Sequence, residues 1–171
     1  RYLIVNYATP ADLARVATDG WDELAQRASR SPMVSGELLR LTYEVGDRSS
    51  YTIEQIALAD TALALINDVL TRTCKAADAY LAPRYQAVMP LDADVVSSSD
   101  LPSAVATIAL RRLYGTTISD ELHRATKWAD DYLRDLSSGK ASLGIADTST
   151  AAVPGRMQVS APVKAFDWNS Y

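Results

Sequence analysis

A single cysteine and a single histidine are all that the 171 residues offer for thiol or imidazole chemistry. Cys74 has no partner for a disulfide within the chain, and it lies in a helical pattern near Leu70 and Ala77, so we interpret it as a core residue. With one histidine, a zinc site of the usual composition cannot be built within one subunit. We expect His123 at a surface or an interface, which does not favour a cysteine nucleophile activated by a histidine base.

Phosphate-binding and calcium-binding motifs are also missing. The sequence contains neither of the glycine-rich loops that hold nucleotide phosphates, G-x-G-x-x-G and G-x-x-x-x-G-K-[ST]. Asp92 and Asp94 lack the glycine and the bidentate glutamate of a calcium loop. Asp130 and Asp131 are adjacent on a predicted helix and therefore point in different directions, so they are not a carboxylate pair on one face. We expect no enzymatic activity, no metal and no cofactor.

Long apolar runs and a strong positive charge are absent as well. No stretch of 18 apolar residues occurs, so we expect no transmembrane helix. The start of the chain is too short for the apolar core of a signal peptide, and we expect a soluble product of the cytoplasm. The net charge of −4 and the pI near 4.9 argue against a protein that grips nucleic acid through its phosphates. A mildly acidic wall past which DNA slides is compatible with that charge.

Hydrophobic residues make up 48% of the chain and recur mostly at helical spacing, which predicts an all-α fold packed as a small bundle. The clearest element begins at Thr52, whose capping box with Gln55 opens one long helix. Pro83 is expected to stop this helix just after Leu81 and Ala82. Its apolar stripe has two series with seven-residue spacing, Ile56, Leu63, Leu70 and Ala77, and Ala59, Ile66, Thr73 and Tyr80.

Shorter elements are predicted before the long helix. Residues 1–8 are a short strand or an extended arm, and Thr9 caps the helix that follows. Residues 21–28 form a second short helix. Residues 37–45 are either a helical turn or a short strand, and residues 46–50 are a loop.

Further helices are predicted after the long one. Residues 86–101 form a loop, and Asp100 caps a helix over residues 104–114. A last helix begins with Ser119 or Asp120 as its cap. The residues expected to pack the three main helices together are Tyr80, Leu81, Tyr85, Leu113, Tyr114, Trp128 and Leu133.

The composition changes after Gly144. Residues 145–156 are rich in small and polar residues without periodicity, which is typical of a flexible linker. Residues 157–171 restore apolar and aromatic side chains. The chain therefore divides into a helical domain over residues 1–144 and a linker with an extended C-terminal arm over residues 145–171. Such an arm either contacts a partner, which we favour, or folds back onto its own domain.

Four cations form a candidate basic patch, Arg111, Arg112, Arg124 and Lys127. One interpretation is contact with DNA. The start of the long helix, residues 52–68, also superficially resembles a helix-turn-helix motif, but it lacks the turn and its helical periodicity is continuous. The favoured alternative is therefore one continuous helix, with the arginines in salt bridges at subunit contacts.

The order of several short motifs resembles the Mu-like prophage head–tail connector family, long filed as a domain of unknown function. The resemblance covers roughly residues 7–144. Its motifs are YATPADL (7–13), DAYLAPRY (78–85), LP (101–102), IALRRLY (108–114), RATKWADDYL (124–133) and GKASLG (139–144). Residues 29–51 look longer than the loop usual in this family, and they are a candidate surface for the next neck protein.

The resemblance implies an all-helical subunit of the phage neck, assembled in the host cytoplasm. Related adaptors form rings, commonly of twelve copies, beneath the portal, and their C-terminal arms dock on portal subunits. A stopper or tail protein would bind below, and double-stranded DNA would pass without sequence recognition. The predicted portal-binding residues are Arg156, Val159, Lys164, Phe166, Trp168 and Tyr171. The predicted subunit-interface residues are Arg84, Tyr85, Arg111, Arg112 and Arg124.

Three other functions are weighed against the adaptor. A stopper or tail-completion protein would bind the tail side and not the portal. A DNA-binding packaging component, suggested by Arg111 and Arg112, would show salt-sensitive affinity for DNA. A small enzyme would need a catalytic constellation, and the sequence offers none.

Overall fold

The computed structural model describes residues 6–145, most of which lie in seven α-helices. The helices are α1 (Pro10–Val16), α2 (Gly20–Ser29), α3 (Gly36–Glu44), α4 (Ile53–Tyr85), α5 (Ala93–Ser98), α6 (Leu101–Tyr114) and α7 (Asp120–Ser138), with 3-10 turns at Gln86–Val88 and Gly115–Thr117. This part of the chain contains no strand, so the predicted all-α fold is confirmed. Almost all of the predicted arm, and most of the strand or arm predicted over residues 1–8, lie outside the described residues.

Helix α4 is the axis against which the other main helices pack. Its N-terminal half carries α2 and α3, and the Gln55 side chain there donates to the Met33 carbonyl oxygen. Its C-terminal half carries α1, α6 and α7. Helix α6 is joined to α4 by residues 86–100, which contain α5, and to α7 by residues 115–119, and it packs against both helices.

Polar side chains fix where the helices start. The Thr9 hydroxyl accepts from the Asp12 N–H, and the Thr52 hydroxyl accepts from the Gln55 N–H, each completed as a capping box. The Ser119 hydroxyl accepts from the backbone in the first turn of α7. These three predicted caps are confirmed, and each satisfies a backbone N–H that the helix itself leaves without a partner.

The middle of the predicted apolar stripe of α4 is confirmed, since its members Ala59, Ile66, Leu70, Thr73 and Ala77 are buried, but over the whole helix the buried residues follow a spacing of eleven and not seven. Ala59, Leu70 and Leu81 are all essentially inaccessible to solvent. Tyr80, the last member of the predicted stripe, is 41% exposed, and Ile56, the first, is only half-buried. A straight α-helix turns by about 20° relative to a seven-residue repeat in each heptad. Over three heptads the predicted stripe therefore leaves the core by about 60°.

The prediction that Pro83 stops α4 is wrong, because the helix continues to Tyr85. Proline removes one helical hydrogen bond, the one to the carbonyl of Ala79. Ala79 is exposed, so water can satisfy that carbonyl. Tyr85 is fully buried and holds the last turn in place, and the Gln86 N–H then donates to the Ala82 carbonyl.

Residues 86–101 are not the loop that composition predicts, because α5 lies within them. The Asp92 carboxylate accepts from the Asp94 N–H at 2.9 Å and caps this short helix. Leu91 and Val96 are buried against the core. Two apolar anchors and one cap are therefore enough for a single short helix that has no extended periodic pattern.

The structure also decides between helix and strand for residues 37–45 and gives the first residue of α6. Residues 37–45 are helical, since they belong to α3, where Ser35 caps the helix and the Leu38 side chain is fully buried. Helix α6 begins at Leu101, and its first N–H donates to the Ser99 hydroxyl. Asp100 occupies the cap position, but its side chain makes no capping hydrogen bond, so this predicted role is wrong.

Burial along α4 can be tested with one substitution at two positions. Ile66 is fully buried and Ile53 is 88% exposed on the same helix. We expect Ile66→Ala to lower the free energy of unfolding by about 2–5 kcal/mol, because it leaves a cavity. Ile53→Ala is the matched control and should change it by less than about 0.5 kcal/mol. Urea unfolding followed by circular dichroism measures both, and equal losses would contradict the assigned orientation of α4.

Candidate interaction surfaces

Groups suited to chemistry are sparse in the part of the chain that the structure describes. No group of three histidine, cysteine, aspartate or glutamate residues within residues 6–145 could hold a metal ion. Cys74 is fully buried, as predicted, and burial raises the pKa of its thiol. His123 lies exposed on α7. Within the same residues, no helix combines the length and apolarity that crossing a bilayer requires.

A buried tyrosine joins the N-terminal segment to α4. Tyr7 is 3% exposed, and its hydroxyl donates to a carboxylate oxygen of Asp78. Burial raises the pKa of Tyr7 well above its ordinary value, and the neighbouring Asp78 carboxylate raises it further. The hydroxyl therefore stays protonated and continues to donate. Two motifs of the sequence, YATPADL and DAYLAPRY, meet through this hydrogen bond.

A second polar contact joins α2 to the end of α6, and the sequence did not indicate it. Glu23 is only 6% exposed, and its carboxylate accepts from the Tyr114 hydroxyl and from the Asp19 N–H. The Arg27 guanidinium lies 4.0 Å from the centre of the Tyr114 ring. Burial and the Glu23 carboxylate raise the pKa of Tyr114. A buried carboxylate with two donors and a nearby cation tolerates its desolvation.

Arg84 and Tyr85 hold the chain that follows α7. The Arg84 guanidinium donates to the carbonyl oxygens of Leu136 and Ala141, at 3.0 and 2.9 Å. The Tyr85 hydroxyl accepts from the Leu143 N–H at 3.2 Å and is fully buried. Gly139 adopts a φ of +86° beside the guanidinium, where a side chain would be strained and crowded. These contacts lie inside one subunit.

The paired arginines of α6 also have partners inside the subunit. Arg111 forms two parallel hydrogen bonds with Asp130, at 2.5 and 2.9 Å, and this contact raises its pKa. Arg112 donates to the Thr73 hydroxyl at 3.1 Å and remains largely exposed. Arg124 is exposed on α7.

The predicted subunit-interface set is therefore split by the structure. Arg84, Tyr85 and Arg111 already serve contacts within the chain, and Tyr85 has no surface left to offer. Arg112 and Arg124 remain accessible, and among the described residues no carboxylate lies within ion-pair distance of either. Contact of these residues with a second copy stays a prediction. The predicted portal-binding residues all lie beyond residue 145, outside the described part of the chain, and their role also stays a prediction.

Two aromatic residues predicted to pack between the main helices are instead on the surface. Tyr80 on α4 is 41% exposed, and Trp128 on α7 is 44% exposed. Leu81, Tyr85 and Leu133, from the same prediction, are buried. Trp128 lies about 100° around α7 from the fully buried Ala129, since neighbouring residues of a helix are separated by that angle. Helical spacing alone places it at the edge of the core.

An open groove of about 480 Å³ lies between α1 and α5. Its polar lining includes Asp12, Arg15, Ser97 and Asp100, and Tyr7 lies at its base. Arg15 forms an ion pair with Asp12 at 3.0 Å, so these two charges offset each other. The groove has no buried nucleophile or base, and its shape and polarity fit a protein side chain better than a reacting substrate.

The hydrogen bond at the end of α4 gives a matched test. Tyr85→Phe leaves the buried Leu143 N–H without its partner, which should lower the free energy of unfolding by about 1–3 kcal/mol. Tyr80→Phe removes an exposed hydroxyl from the same helix and should change it by less than about 0.5 kcal/mol. Hydrogen exchange at Leu143 should accelerate only in Tyr85→Phe; unchanged exchange there would contradict the assigned hydrogen bond.

Comparison with known families gives one match. The model of the family described as Bacteriophage Mu, Gp36 matches residues 7–161, which is most of the chain. Searches of the curated proteins and of the solved structures give no significant match. The matched range contains every polar contact that braces the bundle, from Tyr7 to Leu143. The chain belongs to the Bacteriophage Mu Gp36 family.

Proposed function

We propose that this protein is a head-to-tail connector, or adaptor, of a phage neck. In this proposal, copies of the chain form a ring beneath the portal and extend the DNA channel towards the tail. The observation that carries the proposal is the family match to a Bacteriophage Mu protein over residues 7–161. The ring and its position, with twelve copies as the expected number, come from the resemblance described above.

The contacts of the motif residues support a scaffold role. Tyr7 binds Asp78, Arg84 binds the backbone after α7, and Arg111 binds the carboxylate of Asp130. Each contact joins two motifs that are distant in the sequence. Such contacts make a helical block rigid, and a rigid block suits the wall of a ring that must keep a constant diameter. A catalytic role would require the same residues to face a substrate.

The charge of the chain supports a wall that DNA passes without binding. Net charge is −4, and several arginines are neutralised by carboxylates within the subunit, as Arg111 is by Asp130. Affinity for DNA depends mainly on unneutralised lysine and arginine side chains. A channel lined by this chain would therefore hold translocating DNA only weakly.

The C-terminal segment supplies the proposed link to the portal. Phe166, Trp168 and Tyr171 would act as apolar anchors, with Arg156 and Lys164 as charged partners. Residues 159–164 could add a strand to an exposed sheet edge, although Pro162 limits this pairing. Ordering such a segment costs about 2–5 kcal/mol of the interaction energy. Many copies bound to one portal would offset that cost through multivalency.

A DNA-binding packaging component is the second candidate. It is favoured by one observation, the absence within the described residues of an ion-pair partner for Arg112, Arg124 or Lys127. This candidate predicts that the isolated protein binds double-stranded DNA with an affinity that falls steeply as salt rises. The adaptor predicts no such affinity. A stopper or tail-completion protein, in contrast, would bind the tail side of the neck.

The test of the proposal is binding to the portal ring of the same phage. We expect the wild-type chain to form a ring on the narrow end of the portal in cryo-electron microscopy. Deleting residues 157–171 should abolish binding while the thermal unfolding of the helical core stays the same. Trp168→Ser should weaken binding, and Asn169→Ala in the same segment is the matched control. A truncated chain that binds as the full chain does would contradict the role of the arm.

A further inference from the structure

One flank of α4 carries apolar and aromatic side chains that no other part of the described chain covers. Leu65 and Tyr80 are 40% and 41% exposed, and half-buried Val69 lies between them. Arg112 reaches over the same flank from α6 and donates to Thr73. The α4 positions follow one helical face, with spacings of four, four and seven residues, and span about 22 Å along the helix.

Helix α7 extends this surface with Trp128 and Arg124. The Leu136 carbonyl oxygen accepts from Arg84, which lies only about 40° around α4 from Tyr80, so α7 borders the same flank. Trp128 lies about 200° around α7 from Asp130, whose carboxylate pairs with Arg111, and is therefore turned away from that contact with α6. Arg124 is one turn before Trp128. We call the set Leu65, Val69, Tyr80, Arg112, Arg124 and Trp128 the aromatic–arginine face.

The opposite flank of α4 carries the groove between α1 and α5. Tyr7, at the base of the groove, binds Asp78, which lies about 200° around α4 from Tyr80. No lysine or arginine occurs between Arg84 and Arg111 in the sequence. The three aspartates of that stretch are exposed on and beside α5, Asp92, Asp94 and Asp100. We call the groove with these aspartates the acidic groove.

We propose that the aromatic–arginine face of one copy docks into the acidic groove of the next copy. The inference rests on the proposed ring and assigns the two surfaces that build it. Tryptophan, tyrosine and arginine are the residue types that most often dominate binding energy at protein interfaces. Arg112 and Arg124 would meet the Asp94 and Asp100 carboxylates, and Trp128 would cover the groove.

The position of the two surfaces determines the kind of assembly. They differ in composition, and the α4 part of the face lies on the flank opposite to Tyr7 and the groove, so a contact between them is heterologous. Each copy then offers one surface on either side, and repeated contacts give a closed ring when the rotation closes. A two-fold dimer would instead need one self-complementary surface, and neither of these is self-complementary in charge.

Complementary charge favours a second copy over DNA as the occupant of the aromatic–arginine face. The cations are interrupted by the apolar side chains of Leu65, Val69 and Trp128, which phosphates do not favour. Asp120 and Glu121 lie in the first turn of α7, close to the same end of the subunit, and would repel a phosphate backbone. The acidic groove of an identical chain offers both carboxylates and a recess.

Charge reversal in the full-length chain tests the inference. Arg112→Glu/Arg124→Glu changes the face, Asp94→Lys/Asp100→Lys changes the groove, and Arg40→Glu on α3 is the matched control. Thermal unfolding checks that each variant folds, and Arg124→Glu alone serves if the double variant does not. Assembly is measured by analytical ultracentrifugation alone and by counting bound chains on the portal ring. The arm is intact in every variant, so portal binding itself should persist.

We expect each reversed variant to lose contact between neighbouring copies, with association weakened by roughly tenfold or more. An equimolar mixture of the two should restore it, because each reversed surface then meets an opposite charge. Assembly equal to that of wild type in both variants, or a mixture that fails to restore it, overturns the inference while the proposed adaptor function stands. The inference is also overturned if Arg112→Glu/Arg124→Glu abolishes salt-sensitive binding to DNA but leaves the assembly of copies unchanged. A wild-type chain that neither assembles nor binds the portal removes the proposed function as well.

Discussion

The buried side chains of α4, a helix of 33 residues, recur with a spacing of eleven residues, and each repeat advances only about 20° around the helix. Ala59, Leu70 and Leu81 form a line that turns by about 40° around the helix between its first and last members. Because this line turns only slowly around α4, other helices can dock along much of its length. The two halves of α4 therefore carry different sets of helices within one continuous core.

Polar contacts determine which helices meet along that line. Apolar burial alone would allow α1, α2 and the end of α7 to slide, since hydrophobic packing is not directional. Tyr7 with Asp78, Tyr114 with Glu23, and Arg84 with the Leu136 carbonyl each require one register. A shifted register would leave buried polar groups without partners. These contacts give the bundle one arrangement among several that would bury similar area.

The elements predicted well from the sequence are those that local chemistry controls. The capping box at Thr52, the cap at Ser119 and the all-α class depend on neighbouring residues and on spacing. The errors concern positions that depend on distant partners. Helix α4 passes Pro83 because Tyr85 is buried by Leu143 and its surroundings, which are 58 residues away. Glu23 is buried beside Tyr114, which is 91 residues away in the sequence and reaches its carboxylate only through folding.

The candidate surfaces likewise combine residues that the sequence indicates with features that only the fold shows. The sequence indicates Arg112 and Arg124 as cations of interest, but only the fold shows that Asp130 neutralises Arg111 and that, within residues 6–145, no carboxylate pairs with the other two. The exposure of Trp128 could not be derived from an apolar pattern, because a position at the edge of a stripe is buried or exposed according to the width of its neighbours. The groove requires α5, an element that the sequence predicts as a loop.

The attachment of residues 139–143 to the end of α4 has a mechanical consequence. Tension applied to the chain beyond Leu143 reaches the hydrogen bonds of Tyr85 and Arg84 before it reaches the last turn of α7. These bonds attach three successive points of the chain, Leu143, Ala141 and Leu136, to the last turn of α4. A pull on this end of the subunit is thereby transmitted to the longest helix as a whole, and the bundle moves as one body.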